Sequence, residues 1–351
     1  MAETTNVPSE NKTLNCSNCG APIGYVEGES VLTCEHCGST TMLAGFDQIV
    51  TIQSHSIMRP RLDENSAVKT ARAWLSEGRL KPSGLGDAAD LRSVSGRVLP
   101  YWIVKSFAST SWRGMNRKTR TVGSGQQKRT EEYWEPTSGR FSENYTWPVY
   151  ARENEAEYWG LKFLEPGQKC LFPDWRKFIF SFGMGSKTSP NANLLEGRVP
   201  FSLDGITDSG LKIVNGQIVQ ARAEETARAR IVQSHDAKAA GKATRITDCD
   251  TTVTVQGTEL VYLPMWEIVY GYGGRDYRVL VNAASGAVVA AEYPVGRTAK
   301  IVNFDLLFGI LGGLLAAAGF GTGHHGVGWA GVALVAVAVA YTIISLVSGK
   351  K

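Results

Sequence analysis

The residues best equipped for chemistry are four cysteines near the start of the chain. They read Cys16-Ser-Asn-Cys19-Gly20 and Cys34-Glu-His-Cys37-Gly38, with fourteen residues between the pairs. A CxxC turn presents two thiolates to one ion, and the glycine after it permits a tight turn with positive φ. Two such knuckles on facing hairpins predict one tetrahedral zinc site with Cys16, Cys19, Cys34 and Cys37 as ligands. A redox CxxC needs no twin. With four thiolates the site is closed, hence structural and not catalytic. His36 lies inside the second knuckle and is expected to face solvent. Cys170 and Cys249 stand alone as ordinary thiols.

Charge decides what such a ribbon meets. Residues 1–45 hold five glutamates (Glu3, Glu10, Glu27, Glu29, Glu35) and one lysine, Lys12. Four thiolates around a dication add further negative charge, so the module repels phosphate. It reads as a protein-binding or purely structural ribbon. The opposite charge gathers in residues 111–130, with Arg113, Arg117, Lys118, Arg120, Lys128 and Arg129 and no acid. Gly123-Ser-Gly125 marks the tip of a long hairpin there, and Glu131, Glu132 and Glu135 follow. Two readings stand: a solvated hairpin whose cations pair with those glutamates, or a basic finger in which Arg117, Lys118, Arg120, Lys128 and Arg129 meet anionic lipid headgroups or an acidic partner.

Other chemistry is thin. Gly183-Met-Gly185-Ser186-Lys187-Thr188 lacks the Gly-x4-Gly-Lys spacing with which a Walker A loop cradles phosphates. No GxSxG, HExxH or kinase signature occurs. His55 and His235, the two histidines of the polar body outside the ribbon, sit in no recognisable triad. The chain is therefore expected not to be an enzyme, to have no catalytic residue and to take no small-molecule substrate.

The elements that must position these residues follow from pattern. With 351 residues, 43% apolar and 20% charged, the chain is globular and large enough for two or three domains. A net charge of +4 is not that of a strongly basic nucleic-acid binder. The fold class expected is α+β. Residues 1–12 are expected to form a disordered polar tail without a secretory h-region, and residues 13–45 the zinc ribbon. Asp63 caps a helix to about Glu77, with Ala67, Ala71, Trp74 and Leu75 on one face and Gly78 and Pro82 ending it. Strands follow from Val98-Leu99-Pro100-Tyr101-Trp102-Ile103-Val104. The order recurs with a helix over 219–240 and strands through Leu263-Pro264-Met265-Trp266-Glu267-Ile268-Val269. The shared LPxWxIV is trailed by Trp112-Arg113 in one case and Tyr277-Arg278 in the other. This predicts a duplicated helix-plus-antiparallel-sheet body, with copies over 50–215 and 216–298. The second copy continues as strands 277–282 and 287–293 around Ser285-Gly286. On the second helix Arg222, Glu224, Glu225, Arg228 and Arg230 suit an exposed face with i,i+4 pairs.

The C-terminal part changes character. Residues 301–320 and 328–347 are two apolar stretches of membrane-crossing length, joined by a short turn with His324 and His325. They predict a two-helix transmembrane hairpin over 301–348. Arg297, Lys300, Lys350 and Lys351 flank it and the turn has no lysine or arginine, which puts the body and both termini in the cytoplasm, the chain multi-pass in the inner (cytoplasmic) membrane. Trp329 suits the far interface, Asp305 the near one, and Gly309 and Gly313 form a GxxxG notch for close packing.

Taken together, Cys16–Cys37, Ala73-Trp74-Leu75 with Pro82, Leu99-Pro100-Tyr101-Trp102, and Leu263-Pro264-Met265-Trp266 followed by Tyr270, Tyr272, Tyr277, Asn282, Gly286 and Pro294 resemble a family. It is the zinc-ribbon membrane-protein family often labelled "primosomal protein N′ (replication factor Y) superfamily II helicase". The resemblance runs over most of residues 14–300. This chain has Asn282-Ala-Ala-Ser285-Gly286 where the family has Asn-Gly-x-Thr-Gly, and it carries no Walker A or other helicase core. The resemblance implies a membrane adapter accompanying phage-shock-protein-A-like or flotillin-like membrane-stress proteins, with the four cysteines as its only carried-over site residues. Chelation is expected to unfold the ribbon and leave the body intact. The alternative reading is a nucleic-acid-associated zinc-ribbon protein, as the helicase label suggests.

Overall fold

The structure is a computed structural model that describes residues 12–43, 49–52, 55–77, 81–123, 125, 128–154, 156–165, 171–173, 197–203, 205–206 and 208–347. The tail before Lys12, Gly78, Cys170 and the Gly183–Thr188 stretch lie outside them. The chain is α+β, and its two compact units interleave in sequence: 1–60, 97–165 and 192–264 form one, and 61–96, 166–191 and 265–351 the other.

The first unit opens with β1 (Lys12–Asn15) paired antiparallel with β2 (Pro22–Tyr25). Then β3 (Val31–Thr33), β4 (Thr40–Leu43) and β5 (Ile49–Thr51) form an antiparallel three-stranded sheet. The second cysteine knuckle is the β3–β4 connection. β6 (His55–Ile57) runs beside Leu260–Tyr262 in parallel.

Between the units' segments, α1 (Glu64–Ser76) begins at Asp63, whose carboxylate accepts from the Ser66 amide at 2.9 Å. Ala67, Ala71 and Leu75 are buried, which is the apolar face its spacing predicts. A short α2 (Leu85–Ala88) follows.

β7 (Asp90–Val122) and β8 (Arg129–Tyr150) make one long antiparallel hairpin, registered from Tyr101↔Tyr150 to Val122↔Arg129. At about 3.3 Å per residue its twenty-two pairs extend about 70 Å. Its basal half buries Ser106, Ala108, Thr110 and Trp112 on one face, and its distal half is exposed. Beyond β8, Glu157–Leu164 forms a 3-10 segment whose Tyr158, Trp159, Gly160 and Leu161 all have φ between 47° and 59°. Three of these are not glycine, and such left-handed backbone costs about 1–2 kcal/mol per residue. Burial of Tyr158, Leu161 and Phe163 offsets it.

The remaining elements are β9 (Leu171–Pro173), β10 (Val199–Pro200), β11 (Lys212–Ile213), α3 (Gln220–Ala240), β12 (Arg245–Tyr272), β13 (Arg275–Asn282) and β14 (Val288–Tyr293). α3 buries Ala223, Ala227, Ile231, His235 and Ala239, a row of small and medium side chains at i,i+4 spacing. In the second unit β12, β13, β14 and β9 are neighbours in that order. The β13–β14 turn is closed by the Asn282 carboxamide, which accepts from the Ala284 and Ser285 amides, and Gly286 there has φ 75°.

The LPxW motifs play the same part twice. Trp102 donates its indole N–H to the carbonyl of Ile218, just before α3 (2.8 Å). Trp266 donates to Leu62, just before α1 (3.0 Å). The Ala151 carbonyl accepts from the Gln217 and Ile218 amides, and the Ala283 carbonyl from those of Arg61 and Leu62. Each hairpin thus holds the entry to a helix from the other stretch of sequence. The trailing aromatic–arginine pairs are not equivalent: Trp112-Arg113 lies on β7 itself, and Tyr277-Arg278 on the next strand, β13. The first hairpin is much longer, so equal counting leaves the chain on the same strand.

Two long helices end the chain, α4 (Arg297–Gly321) and α5 (His325–Val347). Among the described residues one span is long and apolar enough to cross a membrane, His325–Thr342, and Phe308–Gly321 of α4 is a shorter apolar helix. Their backbones meet at small residues. A Cβ on Gly331 would lie 2.5 Å from the Gly312 carbonyl, and one on Gly319 would lie 2.1 Å from the Gly328 amide. The Gly309 and Gly313 notch is not the one used: both positions face open space, and the contact row is one residue round the helix, on Gly312 and Gly319.

Candidate metal centre

Both knuckles fold by the same local rule. The Gly20 amide bonds the Cys16 carbonyl at 2.9 Å, and the Cys16 amide bonds Ala21 at 2.8 Å. The Gly38 amide bonds Cys34 at 2.9 Å, and the Cys34 amide bonds Ser39 at 2.9 Å. Gly20 and Gly38 have φ of 75° and 77°, the left-handed turn that the glycine permits.

The four sulfurs converge, all within 4.8 Å of one another. Cys16 Sγ lies 3.7 Å from Cys37 Sγ, and Cys19 Sγ lies 3.8 Å from Cys34 Sγ. A tetrahedron with metal–sulfur bonds of about 2.3 Å has edges of about 3.8 Å, so the donor set fits one ion. Cys16 and Cys34 are buried, Cys37 is half-buried and Cys19 is exposed. Ser39 Oγ stands 3.1 Å from both Cys16 and Cys37 sulfurs, and Asn18 offers Nδ2 to Cys37 at 3.6 Å. Burial opposes ionisation of Cys37, but the Ser39 hydroxyl and amide outweigh it and bring the thiol down to about 6. The Ala21 amide favours the Cys19 thiolate, yet burial and the three neighbouring sulfurs push it up to about 12. Unaided, the cluster does not hold four negative charges at neutral pH. A dication removes that conflict.

The second knuckle is built into its unit. Tyr262, fully buried, hydrogen-bonds Thr33 Oγ1 and approaches Thr40 Oγ1 at 3.5 Å. His55 Nε2 lies 3.2 Å from the Gly38 carbonyl, and its ring lies 5.2 Å from that of Phe201, which also covers Gly38. Val31 and Gly216 exchange backbone hydrogen bonds at 2.9 and 2.8 Å. Ser30 Oγ donates to the Gln217 carbonyl and the Thr33 amide to Asn215 Oδ1. The expectation of a ribbon that unfolds alone is therefore revised, because β3 and β4 share the buried interior with the strands around them.

The cations of the hairpin tip come out as follows. Arg117 lies 3.6 Å from Glu132, Arg120 3.4 Å and Arg129 2.8 Å from Glu131, and Lys118 pairs with Glu135. Lys128 is exposed. These are mostly exposed pairs, worth about 0–1 kcal/mol each. Tyr133 and Trp134 stand among them as exposed aromatics. On α3, Arg222 reaches Glu153 at 2.6 Å and Arg228 the Val253 carbonyl at 2.8 Å.

Sequence reasoning missed His235. It is fully buried, with Nδ1 2.5 Å from Thr110 Oγ1 and its ring stacked on Phe141 at 4.9 Å. Burial, reinforced by Lys238, holds its pKa below the ordinary histidine value. Its place in the buried i,i+4 row of α3 was the available signal. Cys249 is half-buried, with its thiol 3.4 Å from Asp236 Oδ1.

Comparison with family models, with curated proteins and with solved structures finds no match for this chain.

Proposed function

We propose that this protein is a non-enzymatic membrane-anchored adapter. The four cysteines hold zinc as a structural ion, since a closed all-thiolate tetrahedron leaves no open position for substrate. α4 and α5 cross the bilayer as a hairpin, with the body and both termini on the cytoplasmic side. The body recruits or scaffolds a cytoplasmic protein at the membrane, of the membrane-stress or flotillin-like kind that the sequence resemblance implies.

The observation that carries this reading is the way α4 and α5 dispose their side chains. Small residues face each other, and the large apolar ones face outward: Ile310, Leu311, Leu314, Val332, Val337 and Val339 are all exposed, Leu314 by 65%. A water-soluble helix pair does the reverse. Hydrocarbon is the solvent that such a surface suits. Trp329, 65% exposed near the turn, suits a bilayer interface, where tryptophan is favoured.

Carbonate extraction tests it directly. The full chain stays in the membrane pellet, and a cysteine introduced at Gly323 reacts with an impermeant thiol reagent from outside while a tag after Lys351 does not. Release into the supernatant removes the anchor, and the reversed labelling pattern removes the orientation. Metal analysis of the purified chain gives about one zinc per protein; a metal-free native protein refutes the structural ion.

A further inference from the structure

The four sulfurs of the cysteine cluster are not alike. Cys16 and Cys34 are buried and Cys37 is half-buried, but Cys19 is exposed. Their hydrogen bonds differ in the same sense. Cys16 Sγ accepts from the Asn18 amide at 3.4 Å and stands 3.1 Å from Ser39 Oγ. Cys37 Sγ has the same hydroxyl at 3.1 Å and the Asn18 carboxamide at 3.6 Å. Cys34 Sγ faces the amides of His36 and Cys37. Cys19 Sγ faces the Ala21 amide and, among the described residues, no hydroxyl or carboxamide. Donors draw charge from a thiolate and lower its nucleophilicity, so Cys19 keeps the most reactive sulfur as well as the most accessible one.

A dication at the cluster keeps all four sulfurs as thiolates, so exposure and nucleophilicity, not protonation, rank them. Both single out Cys19. Cys34 Sγ lies 3.8 Å from Cys19 Sγ and is buried, in place to resolve an oxidised Cys19 but closed to an oxidant itself. The other pair across the knuckles, Cys16 and Cys37 at 3.7 Å, has the Ser39 hydroxyl beside both sulfurs. Cys34 directly follows β3, whose Thr33 bonds Asn215 and Tyr262. A change at these sulfurs therefore reaches the strands around the ribbon.

We propose that Cys19 is an oxidation site for a peroxide, resolved by Cys34, through which an oxidant opens the metal centre and loosens the first unit. The Cys19 thiolate attacks the peroxide. An S–O bond forms as the O–O bond breaks, sulfur is oxidised to the sulfenic acid, and the far oxygen leaves as water after taking a proton from solvent. The Cys34 thiolate then attacks the Cys19 sulfur. The S–S bond forms, the S–O bond breaks, and hydroxide leaves as water with a second proton. Two thiolates, one hydrogen peroxide and two protons become one disulfide and two waters. Only Cys16 and Cys37 remain as thiolate donors, too few to close a tetrahedron. This deepens the zinc reading and rests on it for the ion; the anchor and the adapter role are not needed.

The test uses the full chain in detergent, with its zinc content measured first. Hydrogen peroxide releases about one zinc per chain to a colorimetric indicator, and peptide mapping finds Cys19 joined to Cys34. The melting midpoint falls as it does on chelation, and a thiol reductant with added zinc restores it. A dimedone probe present during brief oxidation labels Cys19 and none of the other three, which identifies the attacked sulfur in the unaltered chain. Cys19→His keeps four zinc ligands and removes the exposed sulfur, so it releases zinc at least about tenfold more slowly. Cys249→Ser, outside the cluster, releases it at the parent rate. First labelling at Cys16, Cys34 or Cys37, a bridge within one knuckle, or release from Cys19→His at the parent rate overturns the proposal. So does a zinc-loaded chain that keeps its metal under peroxide, and that result leaves the zinc reading standing. A native chain without zinc before oxidation overturns both, so the two failures are told apart.

Discussion

Stripping the metal should destabilise the whole first unit, and the interface between ribbon and body gives the size of the effect. Without an ion the knuckles lose the closure that orders β3 and β4. Val31, fully buried, then loses about 2 kcal/mol of apolar burial. Five hydrogen bonds go with it: two from the Ser30 and Val31 amides to Gly216, one back from the Gly216 amide, Ser30 Oγ to Gln217, and the Thr33 amide to Asn215. At about 1 kcal/mol net each these add about 5 kcal/mol. The total is comparable with the stability of an ordinary domain, about 5–15 kcal/mol. For a unit of this size each kcal/mol moves the midpoint by about 2–4 °C, so the loss of about 7 kcal/mol on chelation lowers it by roughly 15–30 °C. Differential scanning calorimetry of the full chain in detergent, before and after a strong chelator, reads the shift, with metal content measured on both samples. If the metal is gone and the body still melts within about 2 °C of the loaded protein, the docked-ribbon reasoning is wrong.

Three further outcomes follow from the packing within each unit. Trp102→Phe and Trp266→Phe each leave a backbone carbonyl, of Ile218 and Leu62, without its indole donor; each costs about 1–3 kcal/mol by urea unfolding, and a tenfold smaller cost in one of them would break the equivalence of the hairpins. His235, held neutral by burial, is more readily protonated in the unfolded chain, so its contribution is complete above pH ~6.5 and is lost as the pH falls from there toward its depressed folded value. The urea midpoint should fall over that window, and an unchanged fall in His235→Phe would assign it to another group. In the C-terminal helices, Gly312→Leu and Gly331→Leu force the backbones apart, whereas Gly309→Leu and Gly313→Leu meet open space. Thermal melts in detergent should separate the two pairs, and equal loss in all four would refute the packing row.

What the sequence by itself determined is local. The CxxCG knuckles are specified by cysteine spacing and a glycine, and they form wherever the chain places them. Asp63 and the Ala67, Ala71, Leu75 spacing define α1, and the apolar composition of 325–342 defines a membrane-length span, because these depend on neighbours within a few residues. Tertiary structure decided everything that depends on distant partners. That Trp102 serves α3 and Trp266 serves α1 cannot be read from the motifs, each of which lies more than a hundred residues from the helix it holds. That the ribbon is fastened by Tyr262, His55 and Asn215 depends on residues up to about two hundred positions away. The GxxxG notch was misread because a helix has two faces with glycine, and only the partner's position selects between Gly309 and Gly312. The cations of the hairpin tip were legible as charges, but their pairing with Glu131, Glu132 and Glu135 required the register of β7 and β8.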